Sequence, residues 1–171
     1  MNKLIVSSVF ALVAIVAHAQ PSMDPPKELD SFKWMAGKWS ASTHWNMEGQ
    51  EFDSKMDMDH DFDGQFFRSR SVTDMMGMKM TELILVGYDA KAKKINSYTF
   101  ANWAPTSRLE TVTFEGDKAV WAGAGWDGGD GKMTVNRSTM TKVSATEIKF
   151  VLEFKEGEKW AKVAEGTFKK Q

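Results

Sequence analysis

From residue 51 to residue 72, side chains alternate in chemical type on both sides of one Asp-Gly pair. Phe52, Ser54, Met56, Met58, His60 and Phe62 fall on one face, and Glu51, Asp53, Lys55, Asp57, Asp59 and Asp61 on the other. A period of two marks a half-buried strand, so the stretch predicts a hairpin with dry methionines and wet carboxylates. Asp63-Gly64 suits the two positive-φ centres of a type I′ turn, which sets Phe62 opposite Gln65. In that register Asp59 meets Arg68 and Asp57 meets Arg70 on the wet face, while His60 meets Phe67 on the dry one. Opposite charges paired across a ladder support this alignment.

The same period continues along the chain. Trp39, Ala41, Thr43, Trp45 and Met47 alternate with Lys38, Ser40, Ser42, His44 and Asn46, and Gly49 marks the turn into the hairpin. Further strands are predicted over 78–89, 95–103, 107–115, 118–125, 132–142, 146–155 and 159–169, separated by turn-forming residues such as Gly116-Asp117 and Glu156-Gly157. About ten short strands joined by tight turns predict an all-β, antiparallel, up-and-down meander, and closure into a barrel protects its edges. Ahead of it, Asp24 followed by Pro25 and Pro26 reads as an N-cap with proline in the first turn. Leu29, Phe32 and Met35 then share a helical face, which predicts a short helix over 26–36 that covers the sheet or plugs the barrel. Counting alternate residues turns Trp45, Met56, Met58, His60, Phe67, Phe150, Leu152 and Phe154 inward. Both faces of 82–88 are apolar, which leaves the facing of that strand open.

The first residues change where this domain is expected to reside. Lys3, an apolar run over 4–17 and Ala17-His18-Ala19 form a secretory signal peptide, with cleavage between Ala19 and Gln20. The run is shorter than the roughly 20 residues that cross a bilayer, so no membrane span is expected. The expected organisation is a signal peptide over 1–19, a tether over 20–26 and one barrel domain over 27–171, exported to the periplasm or secreted. Removing 19 residues from 171 leaves 152, enough for a single full-sized core. The chain has no cysteine, which excludes disulfides and thiolate chemistry. Its net charge of −1, without a basic cluster, gives no footprint for nucleic acid.

A short helix followed by Gly37-Lys38-Trp39 at the start of a ten-strand meander resembles the calycin superfamily, which includes lipocalins, fatty-acid-binding proteins and nitrobindin-like barrels. The resemblance implies a lipocalin-like barrel with Trp39 packed across its closed end. Gly64-Gln65-Phe66-Phe67, Met76-Gly77-Met78, Gly87-Tyr88-Asp89, Trp103 and Arg137, in that order, resemble the bacterial domain-of-unknown-function 1579 family over nearly the whole mature chain. For most members that resemblance implies no established activity. The nitrobindin branch holds heme through a histidine late in the chain. Here the histidines are His18, His44 and His60, with none after residue 60, so that ligand is absent and heme is not expected.

The candidate chemistry is sparse. His60 is either a cavity residue that contacts a ligand and titrates near neutral pH, or a rim residue between Phe67 and water. His44 belongs to a polar face. Arg137 shares alternate positions with Met133 and Val135, so it points inward to anchor a carboxylate, forms an internal salt bridge, or turns outward. Met56, Met58, Met75, Met76, Met78 and Met80 are soft donors of the kind that suit Cu(I), but strand positions and hairpin turns account for them without a metal. Asp127 to Asp130 lacks a downstream glutamate to complete a calcium loop. The row Asp53, Asp57, Asp59 and Asp61 reads as a solvated face, and no catalytic triad, phosphate loop or zinc spacing occurs. The expected function is therefore non-enzymatic, with no cofactor. A small apolar or amphipathic ligand would rest against Trp45, Met58, Phe67, Phe150 and Leu152, its polar end fixed by Arg137 or His60. The rival is a solid barrel with no ligand.

Overall fold

Ten antiparallel strands close on themselves in a computed structural model that describes residues 23–47, 49–127 and 131–171. In chain order they are β1 (Gly37–Met47), β2 (Gln50–Asp63), β3 (Phe66–Met75), β4 (Met78–Asp89), β5 (Lys94–Ala101), β6 (Arg108–Glu115), β7 (Lys118–Gly123), β10 (Asn136–Ser144), β11 (Glu147–Glu156) and β12 (Lys159–Lys170). Each pairs with the next, and β1 pairs with β12 to complete the barrel. Between β7 and β10 the chain leaves the wall to form a two-stranded ribbon, β8 (Trp126–Asp127) and β9 (Met133–Thr134). The predicted meander is the observed topology, with this ribbon in addition. The predicted signal peptide lies outside the described residues, as do Gly128, Gly129 and Asp130 of the candidate calcium loop.

The β2–β3 hairpin corrects the register read from the sequence. Its two-residue loop is Gly64-Gln65, so Asp63 pairs with Phe66, Phe62 with Phe67, Asp61 with Arg68, His60 with Ser69 and Asp59 with Arg70. Of the two loop residues only Gly64 takes positive φ, at 55°, the arrangement of a II′ turn with glycine first. Every predicted pair is thus displaced by two residues, which leaves each side chain on its predicted face and changes only its partner. Arg68 donates to Asp61 at 2.8 and 2.6 Å and also bonds Asp63. The Arg68 hydrogen bond holds the Asp61 carboxyl below its ordinary range. Ser40 Oγ donates to Asp57 at 2.6 Å and His44 Nδ1 lies 3.0 Å from Asp53, so Asp53, Asp57 and Asp61 of the acidic row are partnered on the outer face.

The meander places the β2–β3, β4–β5, β6–β7 and β10–β11 turns at one end of the barrel. That end is closed by a 3₁₀ helix, Lys27–Met35, which leads directly into β1. Three residues per turn stack positions i, i+3 and i+6, so Leu29, Phe32 and Met35 project together and are fully buried. The helix begins with Pro26 at its N-cap and no side-chain cap, so Asp24 does not take the predicted capping role. Phe32 stacks on Phe67 at 4.7 Å between ring centroids and meets Phe114 edge-on at 4.9 Å. Trp39 is 1% exposed and its Nε1 donates to the Met35 carbonyl at 2.6 Å, tying the helix end to β1.

Candidate functional site: a cavity with an internal arginine cluster

Above the helix plug the barrel encloses a cavity of about 900 Å³. Its volume follows from the side chains chosen for β3. Between Phe67 and Met75, the inward positions of this strand are Ser69, Ser71 and Thr73, all nearly buried and all on the cavity wall, where large apolar residues would fill the space. Apolar surface comes from the other walls, where Met58, Phe150 and Leu152 line the cavity with Trp45 and Phe67. Trp45 is held by its Nε1, which donates to Ser54 Oγ at 2.8 Å, and by stacking on Phe52 at 6.2 Å. Met56 and Met58 belong to this core and cavity wall. Strand β4, whose facing the sequence left open, turns Met80, Glu82 and Ile84 inward.

His60 also lines the cavity, but not at a rim. It is 3% exposed, lies flat on Phe67 at 5.5 Å, and neither ring nitrogen has a hydrogen-bond partner in the protein. Burial disfavours its charged form and brings its pKa down to about 4, against a smaller opposing effect of Asp61. At neutral pH it is an uncharged imidazole with one donor and one acceptor.

Arg137 is not part of the site. It stands on the outer face, where Nε and one terminal nitrogen bond Glu153 at 2.5 and 3.0 Å and the guanidinium lies 4.5 Å from the Trp160 ring centre. The inward residues of β10 are Asn136, Ser138 and Met140. Prediction placed Arg137 with Met133 by treating 132–142 as one strand. The chain instead breaks at Val135 between β9 and β10, so parity counted through the break is reversed. Arg137→Ala is therefore expected to cost no more than about 1 kcal/mol in urea unfolding, the range of a partly exposed pair. A larger loss would show that the pair is structural, and a change in cavity binding would return Arg137 to the site.

The arginine inside the barrel is Arg108, at the start of β6. Its terminal nitrogen donates to Glu82 at 3.0 Å, with the two side chains only 14% and 18% exposed. Two tryptophans frame it, Trp103 and Trp126, with ring centres 5.6 and 5.4 Å from the guanidinium carbon. The rings meet each other edge-on at 4.8 Å, and Trp126 is carried there by β8. One inward position deeper on β6, Glu110 accepts from Asn136 Nδ2 at 3.1 Å. Burial raises the Glu110 carboxyl above its ordinary range, outweighing Arg108 and Asn136. Room for it comes from Gly123, its partner on β7: a Cβ there would stand 2.5 Å from the Leu109 carbonyl oxygen and 3.1 Å from Glu110 Cγ.

Sequence reasoning missed this cluster because the amphipathic sense of two strands is inverted. Ser97 and Thr99 on β5 and Arg108 and Glu110 on β6 turn in, while Tyr98, Phe100 and Leu109 remain about half exposed outside. The available signal was the parity of Arg108 and Glu110 with Val112 and Phe114, which belong to the core or pack against it.

No family model matches the chain, and no curated protein is detectably similar in sequence. Among solved structures the fold is similar to that of Rv2717c from M. tuberculosis, with a TM-score of 0.65 and 12% identity, covering 86% of this chain and 99% of that one. The likeness shows the barrel fold.

Proposed function

We propose that this chain is a non-enzymatic binding protein that carries a small apolar or amphipathic molecule inside its barrel. The carrying observation is the cavity of about 900 Å³, within the range of small-molecule sites, with apolar walls and a few convergent polar groups. A barrel meant to be solid would not place three small hydroxyl residues along one inward strand face. The polar end of the ligand meets Arg108, Glu82, Glu110 or His60, in place of the Arg137 expected from sequence. The signal peptide supports action outside the cytoplasm, and the motif order supports membership of the domain-of-unknown-function 1579 family within the calycins.

Native mass spectrometry of protein purified from its host tests the proposal: a retained small molecule is the expected result. A blocking variant gives an independent answer. Ser71 is 4% exposed on the cavity wall, so Ser71→Phe projects a ring into the space. It is expected to weaken binding of the neutral fluorescent probe N-phenyl-1-naphthylamine at least tenfold, about 1.4 kcal/mol, with the strand circular dichroism retained. Equal binding by wild type and variant would remove the cavity from consideration.

A further inference from the structure

We infer that the cavity takes an amphipathic amine, with its ammonium group paired to Glu110 and its apolar body lying across the barrel towards Trp45. This rests on the binding reading above and specifies its ligand. A carboxyl without a counter-charge carries the argument. Glu110 is 5% exposed on the cavity wall, and one of its oxygens accepts from Asn136 Nδ2 at 3.1 Å. The other oxygen has no hydrogen-bond partner among the described residues, yet it keeps accessible surface, unlike the sealed indole nitrogens of Trp121 and Trp126. Because the side chain turns inward from β6, that surface faces the cavity. Among the described residues no lysine or arginine forms an ion pair with Glu110, and the interior arginine, Arg108, is paired with Glu82 instead.

The ionisable groups inside the barrel leave an excess of acid. Glu82 and Arg108 cancel at 3.0 Å, His60 is uncharged at neutral pH, and Glu110 remains. The other charged lining groups, Lys155, Glu156 and Lys162, stand exposed towards the open ends of β11 and β12. Ser69, Ser71, Thr73 and Ser138 add hydroxyls to the walls, but a hydroxyl donates or accepts and so favours neither sign of charge. Burying a lone carboxylate is costly, and Glu82 repels it as well, which is why the Glu110 carboxyl is held above its ordinary range. A carboxylate ligand would enlarge the excess and a neutral one would leave it unchanged. An ammonium group removes it and donates a charge-assisted hydrogen bond to the free oxygen. The place of the apolar body follows from the ring of ten strands, in which β1 is five strands from β6 in either direction. Trp45 therefore stands on the wall opposite Glu110, with Met58, Phe150 and Leu152 supplying apolar surface beside it.

Three probes that share one ring system test this by calorimetry on the wild-type protein near neutral pH: 2-naphthylmethylamine, 2-naphthalenemethanol and 2-naphthoate. The amine is expected to bind about tenfold or more tightly than the alcohol, as a charge-assisted bond in place of a neutral one would give, and the naphthoate more weakly than either. Glu110→Gln keeps the shape of the side chain and removes its charge. With strand circular dichroism retained, it is expected to bring the amine-to-alcohol ratio down to about threefold or less. Should the variant fail to fold, the order of the three probes on the wild type decides alone. Equal binding of amine and alcohol, tightest binding of the naphthoate, or an amine preference that survives Glu110→Gln overturns the inference. So does binding of none of the three, and in each case the carrier reading stands if N-phenyl-1-naphthylamine still binds. Loss of that probe as well overturns both.

Discussion

Replacing Phe32 by alanine is expected to lower the unfolding free energy by about 3–5 kcal/mol, the range for deleting a fully buried phenylalanine. The ring is 0% exposed and makes three aromatic contacts, with Phe67, Phe114 and Trp121. These partners lie on β3, β6 and β7, so the side chain joins three strands through one short helix. Collapse around the void is restricted because the strands are fixed by their ladders, and the helix is only nine residues long. Urea unfolding followed by tryptophan fluorescence checks the magnitude. A loss below about 1 kcal/mol would mean that the barrel end is stable without its plug.

Acidification from pH 7 to 4.5 is expected to remove about 2–3 kcal/mol of stability through His60. An unfolded histidine takes up a proton near pH 6.5, whereas the folded one resists it until about pH 4. The unfolded chain thus binds more protons across this window, and stability falls as pH falls from about 6.5 towards 4. Glu110 works in the opposite sense, because a carboxyl raised by burial favours the folded state on protonation. Asp57, Asp61 and Glu165 are held low by Ser40, Arg68 and Lys162 respectively, and their contributions fade as pH falls through and below the ordinary carboxylate range. Comparison with His60→Phe isolates the histidine: the variant should lack about 2–3 kcal/mol of the wild-type loss between pH 7 and 4.5. Parallel pH profiles would show that the folded imidazole is accessible to protons.

Period-two counting identified which β2 residues turn inward, and Trp45, Met58, His60, Phe67, Phe150 and Leu152 all line the observed cavity. It could not set the hairpin register, because sliding one strand by two residues keeps every face and exchanges only the ion-pair partners. Turn chemistry and charge pairing were the guides, and neither decides it: Asp63-Gly64 and Gly64-Gln65 both offer a loop with glycine at a positive-φ position, and both registers set aspartates against Arg68 and Arg70. Arg137 was misplaced for a different reason: parity carries through an unbroken strand, and Val135 interrupts it. The Arg108 cluster was hidden because hydrophobicity is a guide to facing only where the interior is dry. A barrel that leaves part of its interior unfilled can put Arg108 and Glu110 inside and leave Leu109 outside.

The seam between β1 and β12 has a consequence in time. Hairpins such as β2–β3 form from neighbouring segments, but Trp39 pairs with Lys170, and Thr43 with Gly166, across nearly the whole length of the domain. Bringing distant segments together carries the largest loop-closure entropy and slows folding. Until β12 arrives, β1 and β11 are open edges and the space beside Ser71 is a groove instead of a chamber. The cavity is consequently complete only in the finished chain, and β12 supplies its last wall.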